Sequence, residues 1–283
     1  MIELSAMKAN WNTHTFRCGH ASGTDEDYVK AAIRAGIEVL GFSDNAPFRE
    51  SFPEERMDYS QLEDYRRSIL GLKKKYKDEI EIHLGIEVDH YDNQVEDMIR
   101  YRKEMEYVIL GQHQIEYKGM SSYQIFDENG LGYYIDHIEY ACSHGLCDCI
   151  AHPDVFLWAY PKLDGSARQA CARIAEIAAE YNVPLELNCG GIRFGKMEYS
   201  DGMRYPYPVR MFFHEAAKRK CIVIPGVDAH DPSDLENEVE MKQALSIVKG
   251  LKLNIVDGYN LIAEANRRKK QMRCTEPQIL DKS

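Results

Sequence analysis

Seven short, almost continuously apolar segments punctuate the chain, at Lys8–Thr13, Glu38–Ser43, Glu81–Glu87, Tyr107–Gly111, Asp148–Ala151, Pro184–Asn188 and Ile222–Gly226, with amphipathic stretches between them. Apolar runs this short, without polar alternation, are the pattern of strands covered on both faces, as in a parallel sheet. The stretches between them carry helix-start signals at Thr24, Ser60, Ser166 and Ser233, and Gly36 as a stop. Strand–helix alternation repeated this often predicts an α/β fold. A seven-stranded β/α barrel of the TIM-like kind suits 283 residues better than an open sheet. With no internal repeat and no linker, one domain over residues 1–270 is expected, followed by a polar tail at 271–283.

The charge balance then narrows the partners. Thirty-five basic against 46 acidic residues give a net charge of −11, so the long-range field repels a polyanion and a nucleic-acid partner is not expected. No run of 18 apolar residues exists and the N-terminus lacks a basic-then-apolar leader, so no membrane partner is expected either. Eight cysteines spread along a long chain point to a reducing, cytoplasmic compartment rather than a disulfide scaffold. Cys147 and Cys149, spaced to share one face of a strand, are expected as buried thiols.

In a barrel, chemistry sits where the strands end. The first segment runs into Asn12, His14, Arg17, Cys18 and His20; the second into Asp44 and Asn45; the third ends at Glu87; the fourth meets His113; the fifth meets His152 and Asp154; the sixth leads to Arg193 and Lys196; the seventh meets Asp228 and His230. Any one histidine here could be a hydrogen-bonded loop residue. Five on one rim, with Glu87 and Asp228, suit a cluster of two to three divalent ions (Zn, Mn or Fe). A carboxylate such as Glu87 can bridge two of them. Histidines elsewhere (His83, His137, His144, His214) fall inside strands or helices, where packing accounts for them; His90 lies between the two cases.

These endings resemble those of the PHP (polymerase and histidinol phosphatase) superfamily, most closely its histidinol-phosphatase branch, over nearly the whole chain. The resemblance implies a distorted seven-stranded barrel and up to three metals. It also implies ligands Glu87, His113 and His152 for one ion, and His14, Glu87, Asp228 and position 12 for a second. His20, His230 and position 45 would serve a third. Two positions depart from that pattern, since Asn12 and Asn45 stand where the family has histidine. An amide oxygen is neutral and less basic than imidazole, so the Glu87–His113–His152 set alone is complete. A naturally attenuated branch, a changed number or identity of metals, and an inactivated form are all compatible with that departure.

Clustered divalent ions beside an anion-binding loop suit phosphoester hydrolysis by a metal-activated hydroxide, with no serine or cysteine nucleophile. The loop after the sixth segment carries two glycines and Arg193, whose fork can bind phosphate, a role the resemblance also implies; Lys196 and Arg17 are further candidate phosphate contacts. Asp228, His230 and Arg193 are the expected catalytic residues, with Asp154 and His230 both conceivable proton donors. Tyr91, Tyr117, Phe126 and Trp158 lie near the rim and could meet the rest of a substrate. The expected protein is thus a cytoplasmic phosphomonoesterase acting on a small phosphorylated substrate, which the resemblance makes L-histidinol phosphate in histidine biosynthesis. A weakly active or non-catalytic phosphate-ester binding protein and a phosphoesterase acting on another monoester are the alternatives.

Overall fold

The computed structural model describes residues 7–48, 55–115, 119–125 and 127–272. Among the described residues ten strands form: β1 (Ala9–Asn10), β2 (Val39–Phe42), β3 (Glu81–Val88), β4 (Tyr107–Leu110), β5 (Cys149–Ile150), β6 (Leu185–Asn188), β7 (Met197–Tyr199), β8 (Gly202–Arg204), β9 (Ile222–Gly226) and β10 (Asn254–Ile255). The seven expected segments all become strands, and they pair in parallel in the order β1-β2-β3-β4-β5-β6-β9-β10. The main sheet therefore has eight strands rather than seven. Its last member, only two residues long, carries too little apolar signal to stand out from the surrounding loop. The additional pair β7–β8 is an antiparallel hairpin outside that sheet.

Helices α1 (Asp25–Arg34), α2 (Leu62–Lys75), α3 (Val95–Glu104), α4 (Glu128–Ser143), α5 (Gly165–Glu180), α6 (Arg210–Lys218), α7 (Glu238–Val248) and α8 (Leu261–Met272) accompany the strands. Thr24 caps α1 in a full capping box with Asp27, as its spacing predicts. The other three starts shift. Asp58, not Ser60, forms the box before α2; Asp164, not Ser166, caps α5; and Asn237, not Ser233, caps α7. In each case an Asp or Asn nearby outcompetes the serine for the free N–H groups. No helix among the described residues is long and apolar enough to cross a membrane.

Ring closure is partial. At the rim, β1 and β9 meet through the bridge between Thr13 and Ala229, with His14 N–H donating to Ala229 O (2.9 Å) and Ala229 N–H to Asn12 O (3.2 Å). At the opposite end β10 takes the place beside β9. Lys8 N–H there donates to Asp257 Oδ1 (2.9 Å) and Trp11 Nε1 to Tyr259 O (3.2 Å).

Alternate residues of the strands point inward. Ala9, Trp11, Tyr107, Ile109, Cys149, Ala151 and Ile224 fill the lower interior, and Leu261 and Ala265 of α8 close it from below. The remaining apolar faces pack against the helices in the larger cluster. Cys149 belongs to the inner cluster, whereas Cys147, just before β5, packs outside with its Sγ 3.8 Å from Cys142 Sγ. The two thiols are buried as expected, but they do not share a face, because the strand begins only at Cys149. Arg102 is fully buried and ties three elements together. Its guanidinium pairs with Asp148 and donates to Ala265 O at 3.4 Å, while Asp148 Oδ2 also accepts Val108 N–H at 2.9 Å. Near the end of α8, Arg268 and Lys269 donate to backbone carbonyls at Tyr181, Asn182, Met105 and Glu106.

Candidate metal centre

Above the apolar layer the inward positions become polar. Glu87 of β3 and Glu186 of β6 point into the ring, and each faces a glycine. A Cβ on Gly111 would lie 1.6 Å from Glu87 Oε1, and one on Gly226 would lie 1.8 Å from Glu186 Oε1. Those two glycines make room for two buried carboxylates at the heart of the rim.

Around Glu87 the strand endings converge. His152 Nε2 lies 3.1 Å and His113 Nε2 3.6 Å from Glu87 Oε1. His14 Nε2 lies 3.1 Å from Glu87 Oε2 and 3.2 Å from Asp228 Oδ1. The ring of His230 stacks on His14 at 4.1 Å and that of His20 on His230 at 4.7 Å. The ligand atoms of Glu87, His113 and His152 lie within 4.8 Å of one another, as do those of His14, Cys18 and His230. All seven residues expected as ligands are thus brought to one rim. Cys18 joins them unexpectedly: its thiol is buried, and despite burial its hydrogen bonds to His14 and His20 lower its pKa.

Two backbone conformations are bent to this purpose. His152 (φ +31°) and Asp228 (φ +55°) occupy the left-handed region that residues with a Cβ seldom adopt, and such strain concentrates at functional sites. His152 N–H donates to Glu186 Oε2 at 2.9 Å, and Asp228 O accepts from Arg193 Nη1 (2.9 Å) and from His230 Nδ1 (3.0 Å).

The electrostatics call for cations. Burial lowers the pKa of His152, yet its bond to Glu87 outweighs this and lifts it to about 9. His14 is likewise raised against burial by Asp228 and Asp44. Burial pushes Glu186 up to about 7, with Asp228 adding to the rise. Glu87 Oε2 is buried and accepts no aligned hydrogen bond. Buried carboxylates and imidazole nitrogens thus face one another at a few ångströms across the rim. Divalent ions fit the same donor set, with nitrogen and carboxylate oxygen ligands from separate strands.

A reading of strand endings alone leaves several roles unassigned. Asp44 lies 3.6 Å from His14 Nδ1, and Asp89 lies 3.5 Å from His113 Nδ1; both carboxylates orient the imidazoles from behind. Asp89 also pairs with buried Arg56 at 3.0 Å. Glu186 stands in a strand that reads as uniformly apolar. A carboxylate at an inward position facing a glycine is the signal that could have revealed it.

The two asparagines differ sharply. Asn12 is fully buried, its Nδ2 donating to Glu186 Oε2 (3.3 Å) and its Oδ1 accepting from Ser43 Oγ (3.3 Å). Asn45 lines the cavity, and its buried Oδ1 has no hydrogen-bond partner among the described residues.

The rim opens into a cavity of about 430 Å3, whose lining includes His14, His113, Asp228, Arg193, Trp158 and Glu55. Arg193 reaches it with Nη1 donating to Asp228 O and Nη2 to Val227 O (2.8 Å), while its Nε lies 2.9 Å from Glu240 as an ion pair without an aligned hydrogen bond. Arg17 is not brought there. The turn Phe16–Cys18 swings its guanidinium down between helices, where it pairs with Asp25 (2.9 Å) and Asp64 (2.8 Å). Lys196 does not line the cavity either, its ammonium lying over the Tyr205 ring. Asp154 is buried behind the rim, its Oδ2 accepting Val209 N–H at 2.6 Å. Of the rim aromatics, Trp158 lines the cavity. Tyr91 instead stacks on His137, and Tyr117 and Phe126 lie outside the described residues.

Comparison with known proteins agrees with this arrangement. The PHP domain model matches residues 11–190. A protein of Deinococcus radiodurans named "Probable histidinol-phosphatase" is 28% identical over 236 residues, covering 78% of this chain and 86% of the relative. The histidinol-phosphatase of Bacillus subtilis is 35% identical over 90 residues, 29% of this chain and 34% of that protein. A crystal structure of histidinol phosphate phosphatase from Lactococcus lactis, complexed with Zn, L-histidinol and phosphate, superposes with a TM-score of 0.67 at 17% identity, over 89% of this chain and 96% of that one. With its distorted parallel ring and its rim of strand-end histidines, the chain belongs to the PHP domain family.

Proposed function

We propose that this protein is a metal-dependent phosphomonoesterase that hydrolyses L-histidinol phosphate to L-histidinol and phosphate. The observation that carries this reading is the position of Glu87, whose two oxygens face two ligand sets: His113 with His152, and His14 with Asp228. A carboxylate shared in this way suits a pair of ions. Divalent ions bound there supply the Lewis acidity that lowers the pKa of water and offsets charge on phosphoryl oxygens.

The chain's own residues do the rest. Glu87, Asp228, Asp44 and Glu186 make the bare rim strongly acidic, so a dianionic phosphate gains from entering only when cations are present. Arg193, with two N–H groups still uncommitted, positions phosphate at the edge of the cavity, and its bonds to Val227 and Asp228 fix the loop that presents Asp228. His230 stacks beside His14 at the cavity wall, where burial and the neighbouring His14 hold its pKa down at about 3, so a leaving alkoxide there takes its proton from water. Asp154, enclosed behind the rim, takes no part in that transfer.

The direct test is phosphate release from L-histidinol phosphate with Mn, Zn or Fe supplied, alongside metal content by elemental analysis. Turnover that requires a divalent ion is expected. Ion binding without release from this ester would overturn the substrate assignment, and failure to bind any ion would overturn the metal reading.

The asparagines favour partial loading as a second reading, because Asn12 is satisfied by Glu186 and Ser43 without any ion. They also predict unequal responses to repair. Asn45→His places an imidazole in open space beside the cavity, and metal affinity is expected to rise about tenfold, in the range typical of ligand-shell changes. Asn12→His breaks two buried hydrogen bonds and is expected to cost about 1–3 kcal/mol of stability. Metal titration and thermal denaturation of both variants check this. Equal behaviour of the two would remove position 45 from the ligand set.

A further inference from the structure

Behind Arg193 stand two carboxylates that the chemistry of the rim leaves unexplained. Glu240 of α7 brings Oε2 to 2.9 Å from Arg193 Nε, and Asp234 brings Oδ1 to 3.4 Å from the same nitrogen. Arg193 lines the cavity and neither carboxylate does. The guanidinium therefore has the cavity on one side and two negative charges on another. All three side chains are largely withdrawn from water, Glu240 being only 13% exposed.

The two carboxylates are not equivalent. Asp234 is accounted for by the backbone: its Oδ2 accepts the N–H groups of His230 and Asp231, each at 2.9 Å, in the capping box that opens the turn Pro232–Glu236. Glu240 has no such task. Its Oε1 accepts from Asn237 Nδ2 at 3.0 Å, while its buried Oε2 accepts no aligned hydrogen bond and meets Arg193 by charge alone. Arg193 Nε is equally buried and equally without an aligned acceptor. Burial pushes the Glu240 carboxyl up, and Arg193 is foremost among the groups that pull it back. A carboxylate withdrawn from water with an oxygen left unbonded costs stability. Anchoring the loop does not require it, because the bonds from Arg193 to Val227 O and Asp228 O and the Asp234 capping box already fix that segment.

A guanidinium that must take hold of a phosphate ester must also let inorganic phosphate go. Full charge holds ester and product alike, and gains nothing once product departure limits turnover. We infer that Glu240 is a positioning residue that acts through Arg193: it holds Nε from behind as a resident counter-anion, and so loosens the grip of Arg193 on phosphate and lets the product leave. Because the contact lacks an aligned hydrogen bond, it tempers the charge and leaves the guanidinium N–H groups to other acceptors. This deepens the phosphomonoesterase reading above and rests on it for the presence of phosphate beside Arg193.

Binding of inorganic phosphate tests the inference without relying on turnover. The full chain, loaded with Mn or Zn, is titrated with phosphate in a calorimeter as the parent and as Glu240→Gln, Glu240→Ala and Glu240→Asp. Removing the charge in the first two variants is expected to tighten phosphate about threefold to tenfold, the scale of one screened unit charge near a partly buried site, with metal content by elemental analysis unchanged. Glu240→Asp keeps the charge and stays closer to the parent than either. A role confined to holding the fold predicts the opposite sign: a loosened Arg193 binds phosphate less well, and glutamine, nearer in shape, is then milder than alanine. In kinetics, KM for L-histidinol phosphate and the inhibition constant of phosphate are expected to fall together in Glu240→Gln.

The outcomes keep the two readings apart. Tighter phosphate in Glu240→Gln and Glu240→Ala, with no phosphomonoester hydrolysed by any of the four proteins, keeps the counter-anion and discards the phosphatase. Hydrolysis by the parent, with phosphate affinity unchanged or weakened in both variants, discards the counter-anion and keeps the phosphatase. A loaded parent that binds no phosphate overturns the inference outright.

Discussion

Glu87→Gln is expected to lower kcat/KM toward L-histidinol phosphate by roughly 10³, the scale of losing a central electrostatic group, and to reduce the number of ions the protein retains. The substitution keeps shape and volume but removes the charge that two ligand sets share. Because Glu87 is enclosed among His14, His113 and His152, its amide replacement must turn an NH2 toward one imidazole. The donor atoms on that side then lose their common partner. The fold should survive, since the substitution keeps the side chain's volume and the metal-free protein sheds a buried carboxylate. Elemental analysis and steady-state kinetics on the same preparation check the prediction. A variant with full activity and full metal content would remove Glu87 from the centre of the mechanism.

Arg102→Ala carries the largest expected cost in stability. Its guanidinium and the Asp148 carboxylate are both fully buried, so deleting one strands the other in a medium that solvates it poorly. Such deletions typically cost about 3–5 kcal/mol, and Arg268, 3.9 Å from Asp148 Oδ1, offsets part of that here. The loss also frees Ala265 O and loosens α8 from the lower end of the ring. Denaturant unfolding is expected to show a lower midpoint with metal affinity little changed, because the pair lies at the end of the ring opposite the rim. Replacing both partners, Arg102→Met with Asp148→Asn, is expected to recover much of the loss, since the asparagine oxygen still accepts Val108 N–H. If Arg102→Ala alone left the midpoint unchanged, the pair would contribute no net stability.

What could be read in the sequence and what could not divides along physical lines. The seven long-range strands were legible because a buried parallel strand must be apolar on both faces. The rim histidines were legible because a strand's end is marked by the first polar residue after that run. Glu186 was hidden by the same rule, since one carboxylate inside Leu185–Asn188 does not break the apolar pattern, and its space is provided by Gly226 from a distant strand. Glu55 and Arg56 lie in a segment with no periodicity and reach the cavity only through tertiary contacts. Arg17 misled because nearness in sequence to His20 does not fix direction, and a single turn of backbone sent its side chain away from the rim. The serine helix starts failed for a local reason, a better cap a few residues away.

The partial closure of the ring has a consequence for how the molecule behaves without its ions. His14 lies just beyond the first strand and Asp228 just beyond the ninth, and between these strands the short rim ladder at Thr13 and Ala229, with Val227 N–H donating to Asn10 Oδ1 at 2.9 Å, completes the circle. The protein is therefore a broken hoop whose two ends are fastened at the spot where the ligands stand. A cation held by His14 and Asp228 together would act as the clasp, making loading and mechanical integrity one property. Opening of the hoop should begin at that fastening rather than at the plugged lower end.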